Sequence, residues 1–497
     1  MVIVGIDQGT TGTTVVAYDH MLQPLARAYR EVPTRYPAPG RVEQDPEGVV
    51  TTVVEAVGEI LEIIGGPGQV VAAGLDNQGE SVVAWDAVTG EPLSPILVWS
   101  DERGREIVEA LSAAGHAERV RSLTGLQLDP YFSAAKLRWL LDNVPAVRAA
   151  ADRGTLRFGT LDAWLGWRLG GQRHLTDHST ASRTQLMGLE SGAWEPELLD
   201  LFGIPAEALP EIRPSLGDWG TLSHLAWGGA IPWRASLVDQ PAALAGHGCI
   251  HEGEVKATYG TGCFVLSHAG TEPRVPPPGV LMSVAWSGPA GHAFALDGGV
   301  FTAGTAMRWL QSVGLLGDVA TSADLAASAT DDGVVWFLPA ITGLGAPWWA
   351  REATGVFSGI TAGTTRAHLV KAVLDGIAFR VRDVLEAIWA TGVERPAELR
   401  VDGGMTANPY LMQRQADILG IPITCYASVE ATARGAAALA AIAAGLLSES
   451  DLRSLTSHGP RYEPRLSADA RDSAYHAWQR WAQQAIDLSR ADDPSAA

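Results

Sequence analysis

Hydrophobic and polar positions at the start of the chain follow the pattern of a β-hairpin. An apolar run over residues 2–6 reaches Asp7, a Gly- and Thr-rich segment occupies 8–13, and apolar residues resume over 15–18. Strand, short polar turn and strand in succession predict two antiparallel strands. A comparable unit lies half a chain later, over 257–266, which suggests two duplicated domains that face each other.

Between and after these hairpins the apolar spacing alternates between the periods of helices and strands. We predict helices over 46–64, 134–143, 366–391, 408–419 and 431–447, with strands over 70–75, 95–99 and 399–401. This mixed order predicts the α/β fold class. We place the domain boundary near residue 245, which gives an N-terminal domain over 1–245 and a C-terminal domain over 246–497.

Composition limits the partners of this 497-residue chain. It has 36 Lys and Arg against 56 Asp and Glu, a formal charge of −20, which argues against binding to nucleic acid or to a membrane through clustered cations. The three cysteines make a disulfide framework implausible and suit a reducing compartment. With no export signal or membrane-length apolar stretch visible, we expect a cytoplasmic protein that acts on small molecules.

The first hairpin turn has the composition of a phosphate-binding loop. Gly9 and Gly12 let backbone N–H groups approach an anion, and Thr10, Thr11 and Thr13 add hydroxyl donors. A plain hairpin turn explains the same residues equally well.

The second hairpin favours nucleotide binding, because Thr261 and Gly262 repeat the pattern. Two opposed turns can grip phosphates without the lysine of a Gly-Lys-Ser/Thr loop, which this sequence does not contain. Asp7, at the end of the first strand, suits a hydrated Mg²⁺.

Two further groups carry candidate chemistry. Asp239 ends an apolar run just before Gln240 and Pro241, where it can accept a substrate proton or simply cap the helix that follows. The segment 77–80 (Asn-Gln-Gly-Glu), together with Trp99 and Tyr131, combines hydroxyl-binding groups with aromatic faces, as polyol pockets do. Ordinary core packing is the competing explanation for the aromatic residues.

Seven stretches in order resemble the FGGY carbohydrate kinases, and among them the glycerol kinases. They are GIDQGTT (5–11), YPAPGRVEQDP (36–46), DPYFSAAK (129–136), TDHSTASRTQL (176–186), TYGTGCF (258–264), TGLGAPW (342–348) and RVDGG (400–404) with Asn408. The resemblance implies two actin-like (ribonuclease H-like) ATPase domains with a cleft between them. It also implies ATP and Mg²⁺ as cofactors, a homo-oligomer (dimer or tetramer), and phosphorylation of a primary hydroxyl, with glycerol to glycerol 3-phosphate as first choice.

The resemblance also assigns roles to individual residues. Asp239 matches the catalytic base, and Asp7 and Asp239 match positions near the metal. Substrate positions are Gln78, Gly79, Glu80, Trp99, Ser100, Asp101, Tyr131, Asp239, Gln240 and Phe264. Nucleotide positions are Thr10, Thr11, Thr13, Thr261, Gly262, Gly304, Arg308, Gly404 and Asn408.

Two departures from the family pattern leave the substrate open. Gly79 stands where glycerol kinases carry an arginine that holds substrate hydroxyls, and we expect it to open space in the pocket. Ser100 and Asp101 follow Trp99 where a glutamine is usual, and could serve extra hydroxyls. These changes favour, as an alternative, a kinase for a longer polyol or ketose: a tetritol, a pentitol such as xylitol, or xylulose. A remote alternative is a non-catalytic actin-like nucleotide switch.

Overall fold

The computed structural model describes residues 1–330, 334–426, 430–456 and 458–491. The strands are β1 (Val2–Gln8), β2 (Gly12–Tyr18), β3 (Pro24–Glu31), β4 (Thr34–Arg35), β5 (Glu43–Gln44), β6 (Val70–Asn77), β7 (Val83–Asp86), β8 (Ile96–Leu97), β9 (Leu156–Gly159), β10 (Leu175–Asp177), β11 (Glu211–Arg213), β12 (Leu216–His224), β13 (Gly229–Val238), β14 (Val255–Tyr259), β15 (Cys263–His268), β16 (Leu281–Gly288), β17 (Gly291–Val300), β18 (Trp336–Leu338), β19 (Val356–Ser358), β20 (Leu399–Asp402), β21 (Ile423–Tyr426) and β22 (His458–Tyr462). The helices are α1 (Pro46–Ile64), α2 (Arg105–Ala113), α3 (Ala117–Thr124), α4 (Ser133–Asn143), α5 (Pro145–Asp152), α6 (Leu161–Leu169), α7 (His178–Ser182), α8 (Pro196–Phe202), α9 (Asp239–Gly246), α10 (Gly304–Ser312), α11 (Ser322–Ala327), α12 (Arg366–Trp389), α13 (Pro409–Leu419), α14 (Ala431–Ala443), α15 (Glu449–Ser454) and α16 (Ala468–Ala491).

The first sheet is built from the first half of the chain, in the order β12-β13-β6-β1-β2-β3. Strands β1, β2 and β3 form an antiparallel meander, whereas β6 runs parallel to β1 and β13 runs parallel to β6. Because β1, β6 and β13 point the same way, they end at one rim of the sheet. Open α/β sheets bind their ligands at such a rim.

The second sheet repeats this topology with later strands, in the order β16-β17-β15-β14-β20-β21-β22. Strands β14, β15 and β17 form the meander, and β20 and β21 continue the sheet parallel to β14. The repeat confirms the α/β class and the duplicated hairpins predicted from the sequence.

Helix α14 ties the two halves together, since it comes from the second half and packs on β1 and β6 of the first sheet. The approach is so close that a Cβ atom at Gly5 would lie 1.9 Å from the carbonyl oxygen of Ala433, and one at Gly74 would lie 2.0 Å from that of Ala436. Helix α9 packs against α14 in turn. The domain boundary expected near residue 245 falls inside α9 and stays a prediction.

The predicted elements are confirmed, with differences at their ends. The Ala-rich helix predicted over 431–447 ends earlier, at Ala443, and Gly445 just beyond it adopts a left-handed φ of +71° that terminates a helix. The strand predicted over 95–99 is reduced to β8. Within the described ranges, no helix is both long and apolar enough to cross a membrane.

Candidate active site

A cleft of about 620 Å³ receives residues from both halves of the chain. The predicted site residues that line it are Thr10, Thr11, Gly79, Glu80, Trp99, Ser100, Asp101, Tyr131, Asp239, Gln240, Thr261, Gly262 and Phe264. Lining residues that the sequence analysis did not single out include Arg183, Val238, Asp297 and Arg351. The walls therefore combine aromatic rings with carboxylates and hydroxyls, a combination suited to a small hydroxylated ligand.

Two equivalent turns border the cleft from the two sheets. In the first, the N–H of Gly9 donates to the carbonyl of Gly12 at 3.0 Å, and in the second the N–H of Gly260 donates to the carbonyl of Gly262 at 2.8 Å. A larger residue does not fit at Gly262 unless neighbouring atoms shift, because a Cβ atom there would lie 2.5 Å from the carbonyl oxygen of Val300. Such turns present hydroxyls and N–H groups to an anion.

The indole of Trp99 connects the first turn to an aromatic wall. Its Nε1 donates to Oγ1 of Thr10 at 2.9 Å, and its ring centroid lies 5.5 Å from that of Tyr131. Because a hydroxyl has one donor and two acceptor positions, Thr10 keeps its own proton free for a ligand. The orientation of the Thr10 hydroxyl thus depends on a residue of the aromatic wall.

Three carboxylates project from one face at the rim where β1, β6 and β13 end. Asp7 pairs with Asp76 in the β1–β6 register, and Leu237 of β13 pairs with Asp76 on the other side. Asp239, two residues beyond Leu237, begins α9 at this rim, and its charge acts on both Asp7 and Asp76. Burial, and next the charge of Asp239, raise the pKa of Asp7 to about 7. The sequence analysis missed Asp76, whose place beside Asp7 depends on the strand pairing.

Hydrogen bonds around Asp239 hold it at the start of α9. One carboxylate oxygen accepts the N–H of Gln240 at 2.6 Å. The fully buried Lys256 donates to Oε1 of Gln240 at 2.6 Å and to Oγ1 of Thr258 at 3.0 Å. Burial raises the pKa of Asp239, and the charge of Lys256 opposes that rise. The carboxylate therefore favours accepting a proton while a nearby cation stabilises its ionised form.

A buried arginine joins the two halves across the cleft. Nε of Arg183 donates to Glu80 at 2.6 Å, and its Nη1 donates to Asp297 of β17 at 2.9 Å. The three side chains are 7%, 5% and 15% exposed, respectively. Glu80 also adopts φ of +58°, a left-handed conformation that is costly for a residue with a Cβ. In the sequence, Arg183 could have been identified as the single arginine or lysine of the motif 176–186.

Seven predicted site residues lie outside the cleft lining: Asp7, Thr13, Gln78, Gly304, Arg308, Gly404 and Asn408. The amide of Gln78 donates to Gln44 at 3.0 Å and its Oε1 accepts from Ser81, so this buried side chain stabilises the neighbouring loops. The hydroxyl of Thr13 pairs with that of Thr52 on α1 at 2.8 Å. Both side chains are buried, and contact of either one with a ligand stays a prediction.

Asp101 lines the cleft, but its carboxylate is already saturated. It accepts hydrogen bonds from the backbone N–H, Nε and Nη2 of Arg103 and from the backbone N–H of Val42, at 2.7 to 3.0 Å. A carboxylate has about four acceptor positions, so none is left for a substrate hydroxyl. Asp101 thus fixes the segment after Trp99, and Ser100 is the exposed residue there; a substrate contact of either residue stays a prediction.

Gly79 does not open the pocket as expected. A Cβ atom at this position would lie 2.7 Å from Cγ2 of Val238, which also lines the cleft. The space in front of the glycine is therefore filled by an apolar side chain. This finding removes one of the two arguments for a longer substrate.

The predicted nucleotide contacts on α10 are near the second turn. Gly304 begins the helix, and its N–H donates to the carbonyl of Gly260 at 3.0 Å. Arg308 is exposed one turn later, and its guanidinium donates to Oγ1 of Thr305 at 3.2 Å. Contact of either residue with a nucleotide stays a prediction.

The predicted contacts at Gly404 and Asn408 lie before α13. Asn408 caps this helix by accepting the N–H of Leu411 at 2.9 Å, and its amide donates to Ser322 at 2.9 Å. Gly404 faces open space, since no atom lies within 4 Å of a Cβ built there. An open glycine beside a helix start leaves room for a planar ligand, and the contact itself stays a prediction.

Comparison with known proteins agrees with this geometry. The N-terminal domain of the FGGY family of carbohydrate kinases matches residues 2–246, and the family's C-terminal domain matches residues 255–444. A protein named glycerol kinase from Thermus brockianus is 44% identical over 97% of this chain and 98% of its own length. Another glycerol kinase, from Halorhodospira halophila, is 42% identical over 99% and 98%.

Solved structures give the same result. The crystal structure of Plasmodium falciparum glycerol kinase with ADP superimposes with a TM-score of 0.92 at 30% identity, covering 97% of this chain and 98% of that one. A ligand-bound xylulose kinase from Lactobacillus acidophilus shares the fold, with a TM-score of 0.89 at 22% identity and complete coverage of both chains. Both domains of the family match this chain, and the relatives match it along nearly its whole length. The chain belongs to the FGGY family of carbohydrate kinases.

Proposed function

We propose that this protein is an ATP-dependent kinase that phosphorylates a primary hydroxyl of a small polyol, with glycerol as its substrate and glycerol 3-phosphate as its product. The observation that carries the proposal is Asp239, a carboxylate inclined to accept a proton, in a cleft bordered by two phosphate-type turns. Relatives named glycerol kinase over nearly the whole chain support the choice of substrate.

The chemistry follows from the positions of these groups. Asp239 accepts the proton of the substrate hydroxyl as its oxygen attacks the γ-phosphorus of ATP, and the bond to the ADP oxygen breaks. Hydrogen-bond donors at the two turns, with the hydroxyls of Thr10 and Thr261, stabilise charge on the transferred phosphoryl group. Glu80 orients the polyol, while Trp99 and Tyr131 cover its C–H surface and exclude water.

Mg²⁺ fits the carboxylates at the rim of the first sheet. Among the described residues, no three His, Cys, Asp or Glu side chains form a complete ligand set. Mg²⁺ does not need one, because it keeps several waters and is shared between one or two carboxylates and nucleotide phosphates. Asp7 and Asp239 are the residues that would hold it, and the bound ion supplies positive charge to the phosphates.

The remaining partners follow from the same proposal. The substrate is a small molecule, and neither nucleic acid nor a membrane is required by the chemistry. A cytoplasmic location suits an enzyme that uses ATP and carries three buried free thiols, Cys249, Cys263 and Cys425. A homo-oligomer, dimer or tetramer, is part of the proposal, and sedimentation of the purified protein tests it.

A substrate panel tests the proposal directly. ADP release is measured with Mg-ATP and glycerol, erythritol, threitol, xylitol, ribitol, xylulose or dihydroxyacetone. We expect glycerol to give the highest kcat/KM, because Val238 fills the space before Gly79 and Asp101 is saturated. A clear preference for a tetritol or pentitol would contradict the choice of glycerol. Nucleotide binding without turnover on any compound would favour the switch instead.

The contact between Gly79 and Val238 gives a second prediction. Gly79→Ala should lower kcat/KM about five- to one-hundredfold, since overpacking a tight site costs about 1–3 kcal/mol and Val238 is a stiff, β-branched neighbour. The double variant Gly79→Ala/Val238→Ala removes the overlapping methyl group and should recover most of the loss. Steady-state kinetics of both single variants and the double variant measure this coupling. A double variant no better than Gly79→Ala would show that the methyl contact does not shape the pocket.

A further inference from the structure

Asp76 is a buried carboxylate whose neighbour on the next strand is another carboxyl group, that of Asp7. Its side chain is 0% exposed, and apart from this contact with Asp7 its two oxygens have no hydrogen-bond partner among the described residues. Leaving an ionised carboxylate in the protein interior without a donor or a cation is costly. Proteins keep such groups when a proton or a metal ion compensates the charge.

The surroundings of Asp76 add negative charge. It stands opposite Asp7 in the β1–β6 register and opposite Leu237 of β13, two residues before Asp239. The cations of the cleft, Lys256 and Arg183, act on Asp239. Three carboxylates thus share one face of the rim, and the innermost has no donor of its own.

Asp76 lies behind the residues that suit Mg²⁺. Asp7 is its partner on β1, and Asp239, which lines the cleft, begins α9 directly after β13, the strand on the other side. A carboxylate that does not touch a cation directly can still accept hydrogen bonds from the water molecules that the cation retains. Carboxylates in this outer position orient the inner ligands and change metal affinity by about 10–100-fold.

We propose that Asp76 is a third carboxylate of the divalent-cation site, acting through water or through Asp7 on the Mg²⁺ that enters with ATP. The inference rests on the proposed function and adds a positioning residue to it.

Manganese binding tests the inference without relying on turnover. Mn²⁺ is titrated into the full-length protein with ADP, and free Mn²⁺ is followed by electron paramagnetic resonance. We expect Asp76→Asn, which keeps the shape and removes the charge, to weaken Mn²⁺ binding about tenfold or more. Asp162→Asn is the matched control, since Asp162 is also a buried carboxylate but lies outside the cleft lining and accepts from Thr160 and Thr176. Its Mn²⁺ affinity should equal that of the wild type.

The possible results separate the two proposals. If the wild-type protein with ADP does not bind Mn²⁺, the proposed function fails. If the wild type binds it and Asp76→Asn binds it equally well, the inference about Asp76 is overturned while the proposed function stands. Should Asp76→Asn not fold, anomalous scattering from Mn²⁺ in wild-type crystals with ADP decides: an ion within about one bridging water of the Asp76 carboxylate supports the inference, and an ion farther away rejects it.

Discussion

Asp239→Asn should abolish phosphoryl transfer while leaving nucleotide binding intact. Asparagine keeps the size of the side chain and the oxygen that accepts the N–H of Gln240 at 2.6 Å. It cannot accept the proton of the substrate hydroxyl. General-base catalysis contributes about 10²–10⁴-fold, and we expect kcat to fall by about a thousandfold.

Two measurements make this result specific to the base. ADP affinity, measured by calorimetry, should stay unchanged, because the two turns that we propose to bind the phosphates do not depend on the carboxylate. Asp218→Asn is the matched control, since Asp218 lies on the same part of the chain but is 79% exposed and pairs with Arg234 and the N–H of Gly220. A variant at 239 that retained wild-type turnover would exclude Asp239 as the base and leave the nucleotide switch as the better explanation.

The duplicated hairpins were predictable because their signal is local. Glycines and threonines between short apolar runs predict a tight turn wherever they occur, and the two turns contain corresponding hydrogen bonds at Gly9 and Gly260. The same reasoning placed Asp239 at the end of a strand and at the start of a helix. These predictions required only neighbours along the chain.

Residues whose role depends on strand pairing could not be found in this way. Asp76 is the next-to-last residue of an ordinary apolar strand, and it becomes significant only when β1 and β13 flank it. Val238 likewise carries no signal in the sequence. Its methyl group faces Gly79, which lies 159 positions earlier in the chain, and fills space that we expected to be open. The resemblance to a family placed the site, whereas packing determined its shape.

Contacts between the two halves depend even more on tertiary structure. Arg351 pairs with Asp129 through two guanidinium nitrogens at 2.9 and 2.6 Å, and Arg183 bridges Glu80 and Asp297. Both arginines border the cleft, so both help to hold its two walls together. Arg183 is the more deeply buried of the two, with its side chain 7% exposed against 28% for Arg351.

Arg183→Met should therefore damage both stability and substrate binding. Methionine fills much of the same volume but leaves Glu80 and Asp297 buried without a cation, and breaking a buried pair in this way costs about 3–5 kcal/mol. Thermal unfolding should occur at a clearly lower temperature. KM for the polyol should rise more than KM for ATP, because Glu80 loses the donor that fixes its orientation in the polyol pocket.

Two further variants distinguish this effect from the loss of any arginine. Arg183→Lys keeps the charge but not the planar fork that reaches both carboxylates, so it should recover stability in part and substrate affinity less. Arg119→Met removes an arginine that pairs with Glu197 on the surface, and its unfolding temperature and kinetics should match the wild type. If Arg183→Met unfolded like the Arg119 variant and bound the polyol normally, the bridge would be a passive contact. A selective rise in the polyol KM instead identifies Arg183 as the residue that positions Glu80, because general loss of folded protein lowers the amount of active enzyme and leaves KM unchanged.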